Sequence, residues 1–169
     1  MAVNYRDWIM KNGKNLLRLM SLTLGLALLL PVADAKKNAY RFKFGLMTPS
    51  SSGNAEVYLE TTEIEKHADP AYAHGFSIKR KDGAQFFLYY IVRFPEPMKN
   101  LPEGIEQYYT VLDGGRALRS KEELVWELNR SFVFDENDPV GQYVMEIYTD
   151  GELYRKIEYN VTPVPEYDF

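Results

Sequence analysis

Cysteine is absent from this sequence, and histidine occurs only twice in 169 residues. The chain can therefore form no disulfide, no thiol nucleophile and no cysteine-ligated metal site, and it cannot carry a lipid anchor on cysteine. It also lacks the G-x-S-x-G turn of many serine hydrolases and the glycine-rich loops that hold nucleotide phosphates. These absences predict a protein that is not an enzyme and that binds no cofactor.

A long apolar run is missing as well. The longest, residues 19–32, has 14 residues, whereas a membrane-spanning helix needs about 20. It follows three basic residues and precedes a small-x-small site, which is the pattern of a secretory signal peptide (Lys11, Lys14 and Arg18, then Ala33-Asp34-Ala35). We predict a signal peptide over residues 1–35 and a bacterial periplasmic or secreted protein with no membrane span after cleavage; an uncleaved membrane anchor is the alternative.

The chain has no surplus of basic residues. Its net charge is −4, and removal of residues 1–35 lowers it to −6, because that segment carries four basic and two acidic residues. An acidic protein is poorly suited to bind nucleic acid. The remaining chain is long enough to bury one hydrophobic core. We therefore expect a single domain and, as partner, another protein or a second copy.

Short segments of alternating apolar and polar residues, separated by turn signals, make up the rest of the sequence. Candidate strands are residues 40–46, 56–62, 75–80, 84–94 and 105–112, and residues 63–75 look irregular. This pattern predicts an all-β fold, a single antiparallel β-sandwich of about seven to nine strands over residues 36–162. Residues 163–169 are predicted to form an extended tail.

The segment from Asp138 to Val161 predicts a hairpin with its turn at residues 149–151. A two-residue loop would place charged residues opposite apolar ones. A three-residue loop, with Gly151 in the left-handed conformation, pairs Ile147 with Leu153 and Tyr143 with Ile157, and it leaves Arg155 on the apolar face at an edge. We predict the three-residue loop.

The same rule predicts a second hairpin around residues 81–83, with Ile78 opposite Phe86 and Phe76 opposite Leu88. The segment Ser120–Leu128 has two interpretations. Its first residues resemble a helix capping box, whereas the alternation of Leu124, Trp126 and Leu128 favours a strand, which we prefer in a sandwich.

The residues that lead into the C-terminal hairpin have the form D-x-x-G-x-Y, with Asp138, Gly141 and Tyr143 at the fixed positions. This motif resembles the tyrosine corner of immunoglobulin-like domains. The resemblance implies an immunoglobulin-like fold in which the Tyr143 hydroxyl bonds backward to the main chain. Met145 occupies the position of the usual cysteine, so the family's disulfide is absent.

Two further stretches are similar to an uncharacterised bacterial family of small immunoglobulin-like domains. One is a Thr-Thr-x-Ile segment in mid-chain, and the other is a C-terminal G-x-W/Y-x-x-E-I-x-x-x-G-x-L pattern; the matching residues are Thr61, Thr62, Ile64, Gly141, Tyr143, Glu146, Ile147, Gly151 and Leu153. Glu65 replaces the family's proline. The resemblance implies a fold and no known activity.

The predicted strand 86–92 is apolar on both faces. Phe86, Leu88, Tyr90 and Val92 form one face, and Phe87, Tyr89 and Ile91 form the other. A sandwich strand normally buries one face only. The second face is either covered by the proline-rich segment 94–102 or another loop, or it is an exposed contact surface. We predict a non-catalytic binding module that uses Phe87, Tyr89 and Ile91.

An alternative function would use the only cluster of ligand-like residues, which contains His67, Asp69 and His74. Imidazole and carboxylate groups can bind zinc or copper, or support hydrolysis. The six residues between the histidines fit no standard short spacing, and Pro70 prevents a helix from aligning them. We therefore predict a polar surface loop and no metal site.

Overall fold

The part of the chain that the structure describes forms eleven short strands. The computed structural model describes residues 38–48 and 55–165, so the predicted signal peptide lies outside the described residues. The strands are β1 (Tyr40–Met47), β2 (Val57–Glu60), β3 (Glu63–Glu65), β4 (His74–Arg80), β5 (Phe86–Arg93), β6 (Tyr109–Leu112), β7 (Ala117–Ser120), β8 (Glu123–Val125), β9 (Glu127–Phe132), β10 (Gly141–Thr149) and β11 (Glu152–Thr162).

The strands build two sheets. The four-stranded sheet has the order β2-β1-β4-β9, and the larger sheet has the order β3-β11-β10-β5-β7-β6, with β8 also paired to β5. Neighbouring strands are antiparallel except for β11 and β3, which run parallel. The predicted all-β class and the predicted β-sandwich of two packed sheets are confirmed. No helix in the described residues has the length and apolar character needed to cross a lipid bilayer.

Aromatic side chains from the two sheets meet in the core between them. Tyr40 of β1 contacts Phe86 of β5 with ring centroids 5.0 Å apart, and Phe44 of β1 lies 5.0 Å from Tyr159 of β11. Each of these rings is at least 90% buried. Because aromatic side chains remove large apolar areas from water, such contacts contribute much of the stability of a cysteine-free sandwich.

The C-terminal hairpin has a different turn from the predicted one. The loop has two residues, Asp150 and Gly151, both with positive φ (52° and 78°), as a type I′ turn requires. A bulge follows at Tyr154, because Tyr148 pairs with Leu153 whereas Ile147 pairs with Arg155. The extra residue restores the apolar register: Tyr154 becomes 5% exposed and Leu153 52% exposed. The predicted pairing of Ile147 with Leu153 is therefore wrong.

The predicted hairpin of β4 and β5 does not exist. Strand β4 pairs with β1 and β9, whereas β5 lies in the other sheet beside β10, β7 and β8. Residues 76, 78, 86 and 88 are all buried, as the alternation indicated. They meet across the core rather than along one sheet, because both flanks of β4 are occupied by more distant strands.

Of three smaller segments, the first and the last differ from expectation, and the second agrees with it. The predicted strand 105–112 begins as a short 3-10 turn over Ile105–Gln107, and β6 starts only at Tyr109. The segment Ser120–Leu128 contains strands, as preferred, and no helix; a break at Trp126 lets β8 pair in the larger sheet and β9 in the smaller. Residues 63–75 include β3, whose Ile64 is buried.

The hydrogen bond that defines a tyrosine corner is present. The Tyr143 hydroxyl donates to the carbonyl oxygen of Pro139 over 2.5 Å, and the Asp138 carboxylate accepts from the backbone N–H of Asp135 over 2.7 Å. Gly141 has a φ of 128°, a value that L side chains rarely adopt. The corner thus fixes the entry of the chain into β10, the strand that carries the centre of the larger sheet.

Candidate interaction surface

The outer face of β5 is only partly exposed. Phe87 is 49% exposed and Tyr89 is partly buried, whereas Ile91 is 8% exposed. The cross-strand neighbours of Ile91 are Glu146 and Arg119, whose long side chains are able to cover it. Two of the three residues predicted to form the contact surface, Phe87 and Tyr89, are therefore accessible. The third, Ile91, is buried and does not contribute to that surface.

Tyr89 is held between two neighbours. Its ring stacks on that of Tyr148, with centroids 4.6 Å apart and planes only 8° from parallel. The guanidinium carbon of Arg119 lies 4.0 Å from the centroid of the Tyr89 ring. A cation over an aromatic ring and a stacked pair each stabilise this arrangement. The result is a rigid aromatic platform on the outside of the larger sheet.

A stripe of exposed and partly exposed apolar side chains runs across the strands through this platform. It comprises Leu153, Tyr148, Tyr89, Phe87 and Leu124, and consecutive members are cross-strand partners or residues i and i+2 on one strand. Leu124 and Leu153 are 51% and 52% exposed. We call these five residues the aromatic stripe.

Sequence reasoning missed most of the stripe because it followed one strand instead of crossing several. The predicted pairing of Ile147 with Leu153 puts Leu153 on the buried face, and no sequence pattern singled out Tyr148. The bulge at Tyr154, which moves Leu153 outward, has no clear signal in the sequence. Leu124 was recognised only as part of an alternating strand.

The outer face of the smaller sheet has the opposite character. Arg41, Lys43 and Lys79 are exposed on adjacent strands there, and Lys79 forms an ion pair of 2.6 Å with Glu127 of β9. A charged outer face of this kind is usual for the solvent-exposed side of an antiparallel sheet. Among the described residues the two outer faces therefore differ: the larger sheet presents the aromatic stripe, and the smaller sheet presents this group of charged side chains.

The structure does not bring His67, Asp69 and His74 together. His67 stacks on Tyr72 at a centroid distance of 4.0 Å and lies 3.2 Å from a carboxylate oxygen of Glu65. Asp69 accepts a hydrogen bond of 2.8 Å from the backbone N–H of Ala71. Within residues 38–48 and 55–165, no group of three or more histidine, cysteine, aspartate or glutamate residues is arranged to hold a metal ion.

His74 was predicted to belong to the same surface loop, but it lies in the core as the first residue of β4. It is 2% exposed, and its ring stacks on Phe134 with centroids 4.5 Å apart. Burial lowers the pKa of His74 to about 4, because a charged imidazolium loses its hydration there. The side chain is therefore neutral at physiological pH.

The sequence matches a known family of β-sandwich domains. Residues 42–162 match the model of a family described as PM0630 beta sandwich domain. An immunoglobulin-like protein from Pseudomonas aeruginosa has a similar structure, with 14% sequence identity and a TM-score of 0.46 over 72% of this chain and 92% of that one. Among curated proteins, none matches the sequence.

Proposed function

The chain belongs to the PM0630 beta sandwich domain family, and from that premise we propose that it is an exported, non-catalytic module that binds another protein through the aromatic stripe. The observation that carries the proposal is the stripe itself. Exposed apolar side chains in one contiguous row are costly in water, and such patches commonly mark sites of protein interaction.

The composition of the stripe fits a protein partner. Tyrosine and phenylalanine are enriched in the buried centres of protein interfaces, where they supply large contact areas with few rotatable bonds. Tyr89 is already fixed by Tyr148 and Arg119. Because its conformation is set before binding, little conformational entropy is lost on association.

Charge favours a different protein over a second copy of this chain. The chain has a net charge of −4, and Glu122, two residues before Leu124, is exposed near one end of the stripe. Two copies of an acidic chain repel each other. A partner with an apolar patch and a basic rim would instead complement the stripe and the charge beside it.

Export is part of the proposal and is supported by the sequence of residues 1–35. A basic start, a short apolar run and the site Ala33-Asp34-Ala35 form the pattern of a cleaved signal. The complete absence of cysteine suits a chain that folds in an oxidising compartment by means of its core alone.

The experiment compares two exposed positions in the stripe with an exposed position elsewhere. The double variant Phe87→Glu/Leu124→Glu alters the stripe, and Tyr58→Glu on β2, where Tyr58 is 57% exposed, is the matched control. Cross-linking in native envelopes should yield a specific adduct with wild type and Tyr58→Glu that is lost with the double variant. Size-exclusion chromatography with light scattering should show folded monomers for all three proteins.

Two results would contradict the proposal. Identical adducts with the wild type and the double variant would show that the stripe makes no contact. A stable dimer of the wild type that the double variant abolishes would replace the different partner by a second copy of this chain.

A further inference from the structure

A recess with a volume of about 140 Å³ lies between the two sheets, away from the aromatic stripe. Its walls are largely aromatic and come from both sheets and from the segments that follow β5 and β9; they include Phe94, Tyr109, Phe132, Phe134, Tyr143 and Tyr159. A well-packed core has few voids larger than a water molecule. A gap of this size at the centre of an aromatic cluster is therefore a candidate binding site.

His74 provides a polar group in the wall of this recess. Its Nδ1 atom is buried and has no hydrogen-bond partner among the described residues. An unpaired buried polar atom is unfavourable, and phenylalanine would fill the same aromatic surroundings without that penalty. The imidazole is neutral here, so it offers one donor and one acceptor.

We propose that the recess binds a small neutral molecule that has a benzene-sized apolar body and one hydroxyl group, and that the hydroxyl hydrogen-bonds to the imidazole of His74. The volume supports the size, because apolar cavities of about 150 Å³ accept benzene. Asp138 is the one carboxylate in the lining, and it already accepts a hydrogen bond from the backbone N–H of Asp135. The other lining residues offer a charged ligand no ion-pair partner, so a neutral molecule fits the recess best.

Two side chains that line the recess provide a route of entry. Val133 follows β9 and is 43% exposed. Met98 lies on the proline-rich connection, where its backbone N–H donates to the carbonyl oxygen of Gly115 over 3.1 Å. The backbone contact fixes the segment, while the flexible thioether side chain is free to change rotamer. A small ligand can enter by movement of side chains alone.

The first test uses phenol and toluene, which have nearly the same shape but differ in the hydroxyl group. Titration calorimetry would give both dissociation constants for the wild type and for His74→Phe. The ratio of the toluene constant to the phenol constant should fall about tenfold in the variant, because a neutral hydrogen bond is lost only for phenol. An unchanged ratio, or no binding of phenol to the wild type at millimolar concentration, would overturn the proposal.

The second test remains decisive if His74→Phe does not fold. Val133→Phe places a large side chain at the mouth of the recess and should weaken both ligands at least tenfold. Val140→Phe is the matched control, because Val140 is similarly exposed at 47% and does not line the recess. Equal weakening by both variants, or by neither, would show that the ligands bind elsewhere.

Discussion

At the scale of single residues, Tyr143 performs two tasks with one side chain. Its ring is 1% exposed and packs edge-to-face against Phe94 at 5.6 Å. Its hydroxyl reaches back to the carbonyl oxygen of Pro139. The ring thus belongs to the core, and the hydroxyl closes the turn that precedes β10.

Removing only the hydroxyl separates these tasks. Tyr143→Phe should lower the free energy of unfolding by about 1–2 kcal/mol, because the Pro139 carbonyl is left without its donor while the aromatic packing persists. Urea denaturation would measure the loss. Tyr108→Phe is the control, since Tyr108 is 68% exposed and should change the midpoint little. An unaltered midpoint for Tyr143→Phe would mean that the corner does not stabilise the fold.

His74 should make stability depend on pH. The pKa of His74 is about 4 in the folded protein, against 6.5 for the unperturbed group. Between these two pH values the imidazole is protonated in the unfolded chain but neutral in the folded one. The free energy of unfolding should therefore fall as pH decreases from about 6.5 to about 4, by roughly 3 kcal/mol in all, and this contribution should then level off.

The contribution of His74 can be isolated by difference. Denaturation of the wild type and of His74→Phe across this pH range gives two curves, and Asp138, Tyr143 and Tyr159 around the same recess are common to both proteins. The stability of the wild type relative to the variant should decline as the medium becomes acidic. A constant difference would show that His74 is charged in the folded state or is not buried in solution.

At the scale of elements, the bulge at Tyr154 decides which side of β11 faces the core. Tyr154 packs on Tyr40 with ring centroids 4.9 Å apart, whereas its neighbour Leu153 points outward beside Tyr148. A strand without the bulge would exchange these roles. The Asp150-Gly151 turn and the bulge therefore act together, the first setting the loop length and the second correcting the register.

Glutamate substitutions at the two neighbouring positions test this arrangement. Tyr154→Glu should destabilise the domain by more than about 3 kcal/mol or prevent folding, because it removes a core ring and buries a charge. Leu153→Glu should leave the melting temperature nearly unchanged. Thermal unfolding measures both. Equal destabilisation by the two variants would indicate that the strand has no bulge.

The strands themselves were largely predictable, but their partners were not. Alternation correctly identified the buried face of β4 and β5, because side-chain direction is a local property of a strand. It could not show that β4 pairs with β1 and β9, since pairing depends on which distant strands compete for each edge. The aromatic stripe could not be predicted for the same reason, because it crosses four strands and exists only after the sheet is assembled.

At the scale of the whole molecule, the two sheets present two different surfaces to the surroundings. The smaller sheet meets water with Arg41, Lys43 and Lys79, and the larger presents the aromatic stripe. The composition predicted a single domain with no basic surplus, and it gave no sign of this division. Sheet order decides which side chains share a face, and sheet order cannot be predicted from composition.

Export should be visible in the mass of the protein. We predict that the form recovered from outside the cytoplasm begins at Lys36, after cleavage of residues 1–35. Intact-mass spectrometry would identify that start, and Ala35→Arg, which spoils the small-x-small site, should yield an uncleaved precursor. A full-length wild-type protein retained in the membrane fraction would contradict this prediction.

The distance along the chain between paired strands has a consequence for the order of folding. Strand β1 depends on β4, β4 on β9, and β5 on β10, so neither sheet is complete until residues 127–162 have been synthesised. Topologies with such non-local pairing fold in milliseconds to seconds rather than microseconds. A ribosome-bound chain that lacks residues 127–162 therefore has no finished core to collapse into, and both sheets stay incomplete until that segment has been made.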